Sequence, residues 1–233
     1  MAQAIAEKGA AGGAPRGRKP MIDRTRIIDE AVALLAEETL RDFTLNKLAR
    51  RLGVSVMALY TYFPGRNALL DAAAEHVFAL FEPPAPRARW QDEVHDWLWT
   101  LQRHFEQHPV GLDLLAWDDH VTAAWARTWR PIADLLDRQD LHGPRQSFAI
   151  DYFMHAAIAT MFSHRATRGL RDNGEALSAV PGLGEEDQRF VDHLARNMRS
   201  IGVDQRLDFA FGQIVRGLEF IIASPRCPGE PHG

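Results

Sequence analysis

The sequence predicts an all-α protein in two parts: a small three-helix unit at the N-terminus and a larger helical body behind it. Three observations carry this reading. Apolar residues recur at helical spacing through most of the 233 residues. Proline and glycine clusters separate the periodic stretches. Strand signals are missing, with no sustained period-two run and no Asn-Gly or Asp-Gly turn joining two such runs.

The first fifteen residues, MAQAIAEKGAAGGAP, are small and polar and read as disordered. They lack the charged start and hydrophobic core of a signal peptide. Arg16, Arg18 and Lys19 follow, so residues 1–20 form a disordered basic arm. The first helix is IIDEAVALLAEE. From Phe43 to Leu70 the chain reads FTLNKLARRLGVSVMALYTYFPGRNALL, the most informative stretch in the sequence. Thr44 is a good N-cap, and Leu45, Leu48, Ala49 and Leu52 recur at helical spacing. Gly53 sits where a helix end needs a left-handed residue. Ser55 can cap a second helix running to Phe63, and Pro64 ends that helix or opens the next.

Two helices joined by a short glycine turn are the helix-turn-helix signature, whose second helix enters the DNA major groove. Along that second helix Val54, Leu59 and Phe63 can pack on the first. Val56, Met57, Ala58, Tyr60 and Tyr62 remain, an apolar run suited to thymine methyls and, through the tyrosine hydroxyls, to phosphates. The alternative is that the tyrosines pack inside the three-helix unit. The basic arm either lies in a neighbouring minor groove or is a solvated tail.

The segment from about Thr25 to Ala74 resembles the N-terminal domain of the TetR family of bacterial transcription regulators. The resemblance rests on the first helix, the Phe43-Thr44 pair, LNKLARRLGVS, the run Leu59-Tyr60-Thr61-Tyr62-Phe63, and Arg66 before Ala68-Leu69-Leu70. It covers about a fifth of the chain. It implies DNA contacts at Leu45, Asn46, Val56, Met57, Ala58, Tyr60, Tyr62 and Arg66, with Thr44 and Lys47 close by. Asn46 suits an adenine contact, while Tyr60, Tyr62, Lys47 and Arg66 suit phosphates. Several members of the family are polar where this chain has Val56, Met57 and Ala58, so shape and methyl contacts carry more of the readout.

Charge fits a binder with one DNA-facing end. The net charge is −4, yet residues 16–70 hold ten Lys/Arg against six Asp/Glu, and residues 71–233 hold sixteen against twenty-four. A basic head meets phosphate while an acidic body is repelled from it. The expected division is a head over 21–70, a body over 71–224 and a flexible tail over 225–233. The single cysteine, Cys227, lies in that tail and fits a reducing cytoplasm. No apolar run is long enough to span a membrane.

In the body, EPPAPRA at 82–88 separates a fourth helix from one over 90–107. Pro109 can start a short helix through Leu115, and Asp118 or Asp119 can cap another through about Arg138. LHGP at 141–144 breaks the chain before a long helix over 145–169. A loop over 171–184 leads to helices over 185–200 and 204–224, nine or ten helices in all. The stretches 146–164 and 207–222 are apolar nearly all round, which calls for burial on all sides. In the resembled family these two helices meet their symmetry mates in a C2 dimer. The alternative is that they are simply central to the monomer.

All six tryptophans fall between 90 and 129. Large aromatics with polar tips often line small-molecule sites, and TetR-like bodies hold an effector pocket there. The candidates are Trp97, Leu101, Phe105, Trp117, Trp125 and Phe153, with His104 or His155 as a polar group; the competing reading is plain core. His104 and His108 have the spacing for joint metal binding. The metalloprotease motif needs Glu directly after the first His, whereas Glu106 is two residues on. Asp118, Asp119 and His120 could add ligands, but helix capping explains them more simply. No metal, cofactor or catalytic residue is expected. The sequence thus implies a cytoplasmic, homodimeric, ligand-responsive repressor of a palindromic operator, released by a small apolar or aromatic effector. The rivals are the same fold answering to a protein partner, or an enzyme using the histidine-rich middle.

Overall fold

The computed structural model describes residues 22–115, 122–172 and 182–224. The basic arm, the tail after Ser224, most of the 171–184 loop, and Trp117, Asp118, Asp119 and His120 lie outside the described residues. Within them the chain forms ten helices and no strand: α1 (Arg24–Glu37), α2 (Leu45–Leu52), α3 (Val56–Tyr60), α4 (Arg66–Ala79), α5 (Trp90–Gln107), α6 (Val110–Leu115), α7 (Ala123–Asp137), α8 (Gly143–Asp172), α9 (Glu185–Arg199) and α10 (Val203–Ala223). None of these is long and apolar enough to cross a membrane.

The head is built on α1, whose N-cap Asp23 accepts the Arg26 N–H at 2.8 Å. It buries Ile27, Ala31, Leu34 and Leu35, one face of a 3.6-residue period, against α2 and α4. Phe43, Leu48, Leu59 and Phe63 close this core from the helix-turn-helix side. Removing any one of them would forfeit about 2–5 kcal/mol of burial and packing. Arg51 ties α2 to α1 by bridging Glu30 and Glu37. That bond holds the Glu37 carboxyl below its ordinary value.

The expected head–body boundary after Leu70 falls inside α4. Leu69 and Leu70 are buried near its start, and Val77 and Phe78 near its end. Its neighbours are α1 on one side and α6 and α7 on the other. Head and body therefore share a helix. At the junction α6 approaches closely, because Gly111 has no side chain. A Cβ there would lie 3.1 Å from Val77 Cγ1 and 3.2 Å from Phe105 Cδ1.

In the body α5 buries Val94, Trp97, Leu98, Leu101 and Phe105. The long helix α8 buries Ala149, Phe153, Ala157 and Met161 at i, i+4 spacing and pairs with α10. The phenol of Tyr152 lies across Gly217 in the space a side chain would fill. Arg145 donates to the Ile221, Ile222 and Ser224 carbonyls, satisfying acceptors that the end of α10 leaves open.

Two expectations change. The second helix of the helix-turn-helix ends at Tyr60 rather than Phe63, because residues 61–62 tighten into a turn closed by the Tyr62 N–H on the Leu59 carbonyl at 2.9 Å. The α7 cap is Thr122, whose hydroxyl accepts the Trp125 N–H at 3.1 Å, not Asp118 or Asp119. Within the single chain α8 and α10 leave Phe148, Phe209 and Phe220 48%, 68% and 75% exposed, so the chain by itself does not cover their whole apolar circumference.

Candidate nucleic-acid interface and body interior

The glycine turn is fixed at both ends. Thr44 caps α2 by accepting the Lys47 N–H at 3.3 Å. At the far end Gly53 takes φ 68°, ψ 31°, and its N–H reaches the Arg50 carbonyl while the Val54 N–H reaches Ala49. These paired bonds form a Schellman closure, which requires a left-handed residue at that position. Ser55 then caps α3 by accepting the Ala58 N–H at 3.2 Å. With Leu59 buried, α3 turns Met57 (73% exposed) and Tyr60 (46%) outward, with Val56 and Ala58 half-buried beside them. Asn46 and Thr44 are exposed at the start of α2. Met57 and Tyr60 together leave an apolar and aromatic edge of α3 open to solvent.

The other predicted contacts are engaged within the head. Leu45 is buried. Lys47 pairs with Glu38 at 2.8 Å across a partly exposed surface, where such pairs contribute little. The Arg66 guanidinium donates to the Phe43 carbonyl at 3.1 Å and to the Leu40 carbonyl, stapling the α1–α2 loop. Tyr62 donates its hydroxyl to the Ile22 carbonyl at 2.8 Å, and Arg24 donates to the Tyr62 carbonyl at 2.8 Å while lying over the Phe63 ring. This reciprocal clasp fixes the end of α3 against the start of α1. Arg24 escaped the sequence reading, because nothing local in the sequence announces a partner 38 residues away.

The body interior is a continuous aromatic cluster. The Trp97 ring lies 5.1 Å from Trp129, 5.4 Å from Phe153 and 5.8 Å from Phe81. Phe81 lies 5.6 Å from His104, which also stacks near Phe78. Leu101 and Phe105 are buried alongside on α5, and Trp125 packs 6.3 Å from Trp129. Between α4, α6 and α7 only a slit of about 10 Å³ remains, bounded by Ala74, Phe78, Leu114, Leu115 and Trp125, so this part of the interior is closely packed.

His104 is pushed down to about 4 by burial, with His108 a secondary cause, so it is neutral near pH 7. His155 does not join it. Two residues along a helix turn about 200°, so His155 faces away from buried Phe153 and binds the Asp151 carbonyl at the surface. Trp129 was not singled out from the sequence, although its i, i+4 relation to Trp125 could have pointed to it. Among the described residues no group of three His, Cys, Asp or Glu could hold a metal ion.

Residues 27–73 match the family described as bacterial regulatory proteins, tetR family. The HTH-type transcriptional repressor DrrR1 of Streptomyces coeruleorubidus is 25% identical over 227 residues, covering 93% of this chain and 84% of that protein. The class D tetracycline repressor protein of Escherichia coli is 36% identical over 85 residues, 35% of this chain and 39% of that one. Among solved structures, apo ActR from Streptomyces coelicolor superposes with a TM-score of 0.68 at 22% identity, covering 86% of this chain and 96% of that one. A TetR variant from Acinetobacter baumannii in complex with minocycline gives 0.69 at 21%, covering 91% and 100%.

Proposed function

This chain belongs to the TetR family of bacterial transcription regulators, and on that premise we propose that it is a homodimeric repressor released from a palindromic operator by a small aromatic effector. The observation that carries the reading is the face of α3: Met57 and Tyr60 stand exposed on a capped helix-turn-helix whose head is basic while the rest of the chain is acidic. Asn46, Val56, Met57 and Ala58 would meet base edges, and Thr44, Lys47 and Tyr60 phosphates. Arg66 and Tyr62 would act one step back by holding α3 and the α1–α2 loop in place.

Residues 21–70 would serve DNA and 71–224 the effector and the dimer, with the basic arm ahead of α1. The name of DrrR1 and the ligand-bound ActR and TetR structures support an effector in the body and a repressor sign. The exposed phenylalanines of α8 and α10 support a self-complementary interface: Phe209 and Phe220, eleven residues apart, share one stripe of α10. The chain acts by binding, without catalysis, in the cytoplasm. Control runs through α4. An effector that prefers the DNA-incompetent arrangement shifts the population toward it, and coupling of about 1–3 kcal/mol suffices.

Selection from random DNA tests the reading. It should return a two-fold motif with half-sites about one helical turn apart, or a small multiple of it, bound with steep salt dependence. Recovery of no symmetric motif would overturn the specific-repressor reading.

A further inference from the structure

The end of α3 grips the chain at the point where the basic arm joins the head. Tyr62 donates its hydroxyl to the Ile22 carbonyl at 2.8 Å, and Arg24 donates to the Tyr62 carbonyl at 2.8 Å. The Arg24 guanidinium also lies 4.2 Å from the centroid of the buried Phe63 ring. Ile22 itself is half-buried and packs against the head core, so the backbone there is held from two sides. Just ahead of this anchor, from Lys8 to Ile22, the sequence carries Lys8, Arg16, Arg18 and Lys19 and no acidic residue. A cationic segment rooted beside the DNA-facing helix has a high effective concentration at the groove next to it.

Resting on the DNA-binding reading above, we infer that Arg16, Arg18 and Lys19 enter the minor groove beside each half-site and favour A·T pairs there, with the Tyr62–Ile22 bond as the positioning contact. Length permits this. Lys19 and Arg16 stand three and six residues ahead of Ile22, which extended chain converts to about 10 and 20 Å. Half a helical turn, the step from a major groove to the next minor groove, is about 17 Å. Chemistry selects the base pairs. Guanidinium and ammonium groups only donate, so they suit the adenine N3 and thymine O2 acceptors and meet the guanine amine donor to donor. A narrow A·T minor groove also concentrates the negative potential that draws such cations. The arm thereby adds hydrogen-bonded readout that Val56, Met57 and Ala58 on α3 cannot make with their side chains.

Inosine separates the two grooves. An I·C pair shows the major-groove face of G·C but lacks its minor-groove amine, so the two differ only in what the arm reads. Selected operators carrying I·C or G·C at the pairs bordering each half-site are titrated with the full-length protein by mobility shift across a salt series. The G·C duplex should bind about fivefold more weakly, the cost of one unfavourable base pair. Arg16→Gln, Arg18→Gln and Lys19→Gln together should abolish that difference and flatten the slope of log affinity against log salt by about 2–3. Tyr62→Phe keeps the ring, loses the bond to Ile22 and should narrow the difference. Impaired folding would weaken both duplexes alike and leave their ratio unmoved. Equal affinity for the two duplexes in the unaltered protein would overturn the minor-groove inference. A salt slope unmoved by the triple change would make the arm a solvated tail, and a ratio unmoved in Tyr62→Phe would overturn the anchoring contact. If the unaltered protein selects no operator at all, the DNA-binding reading falls with it.

Discussion

At φ 68° Gly53 holds the left-handed conformation that closes α2, and a side chain would find open space around it. Any penalty for substitution is therefore conformational rather than steric, about 1–2 kcal/mol for an L-residue. Gly53→Ala should lower stability by about 1 kcal/mol in urea unfolding and weaken operator binding as the α2–α3 angle relaxes. His104 makes a different residue-scale prediction. Its value in the folded protein is about 4, against 6.5 for the free side chain. Between these two values the unfolded chain holds a proton that the folded chain does not, so stability rises with pH across the window and is lost as pH falls from 6.5 towards 4. His104→Leu should remove that contribution. Its urea midpoint relative to the parent should be higher at pH 5 than at pH 7, and an unchanged difference would argue against a buried neutral imidazole.

At the scale of elements, α6 is the piece that head and body both touch. Gly111 lets it sit against Val77 of α4 and Phe105 of α5. Gly111→Ala should push these helices apart by a few tenths of an ångström, cost about 1–3 kcal/mol as overpacking does, and shift operator affinity by mobility-shift titration although the site is remote from DNA. A variant with normal stability and normal affinity would show that the junction yields without moving α4. Much of this architecture is legible in sequence. Thr44, Gly53 and Ser55 each carry a local signal that the backbone obeys, and prolines precede α5 and α6 where the structure starts them. What stayed hidden depends on distance or on helix phase. The Arg24–Tyr62 clasp and the Arg66 staple join residues far apart in the chain, so neither could be read from a motif. His155 stands two residues from Phe153, and a helix sends the two to opposite sides. The end of α3 at Tyr60 was missed because Thr61 and Tyr62 have no helix-breaking character of their own.

For the whole molecule, the proposed dimer rests on the exposed phenylalanines of α8 and α10. The protein should run as a dimer at micromolar concentration in light scattering. Phe220→Asp should give monomers, since an unpaired charge in an apolar interface costs several kcal/mol. It should weaken binding to a two-half-site operator far more than to a single half-site. A dimer that tolerates this change would place the interface on another face. Such a dimer carries two copies of the shared helix α4. Its 14 residues make a rod about 20 Å long. Pivoting the rod by about 10° from the body end carries its head end through about 3.5 Å, close to the rise of one base pair along a strand. Two-fold symmetry sends the partner's rod the opposite way, so the recognition helices part by about twice that distance, a register error of two base pairs across neighbouring grooves. A tilt too small to disturb the packing around either end of α4 is thus enough to put the pair out of step with its operator.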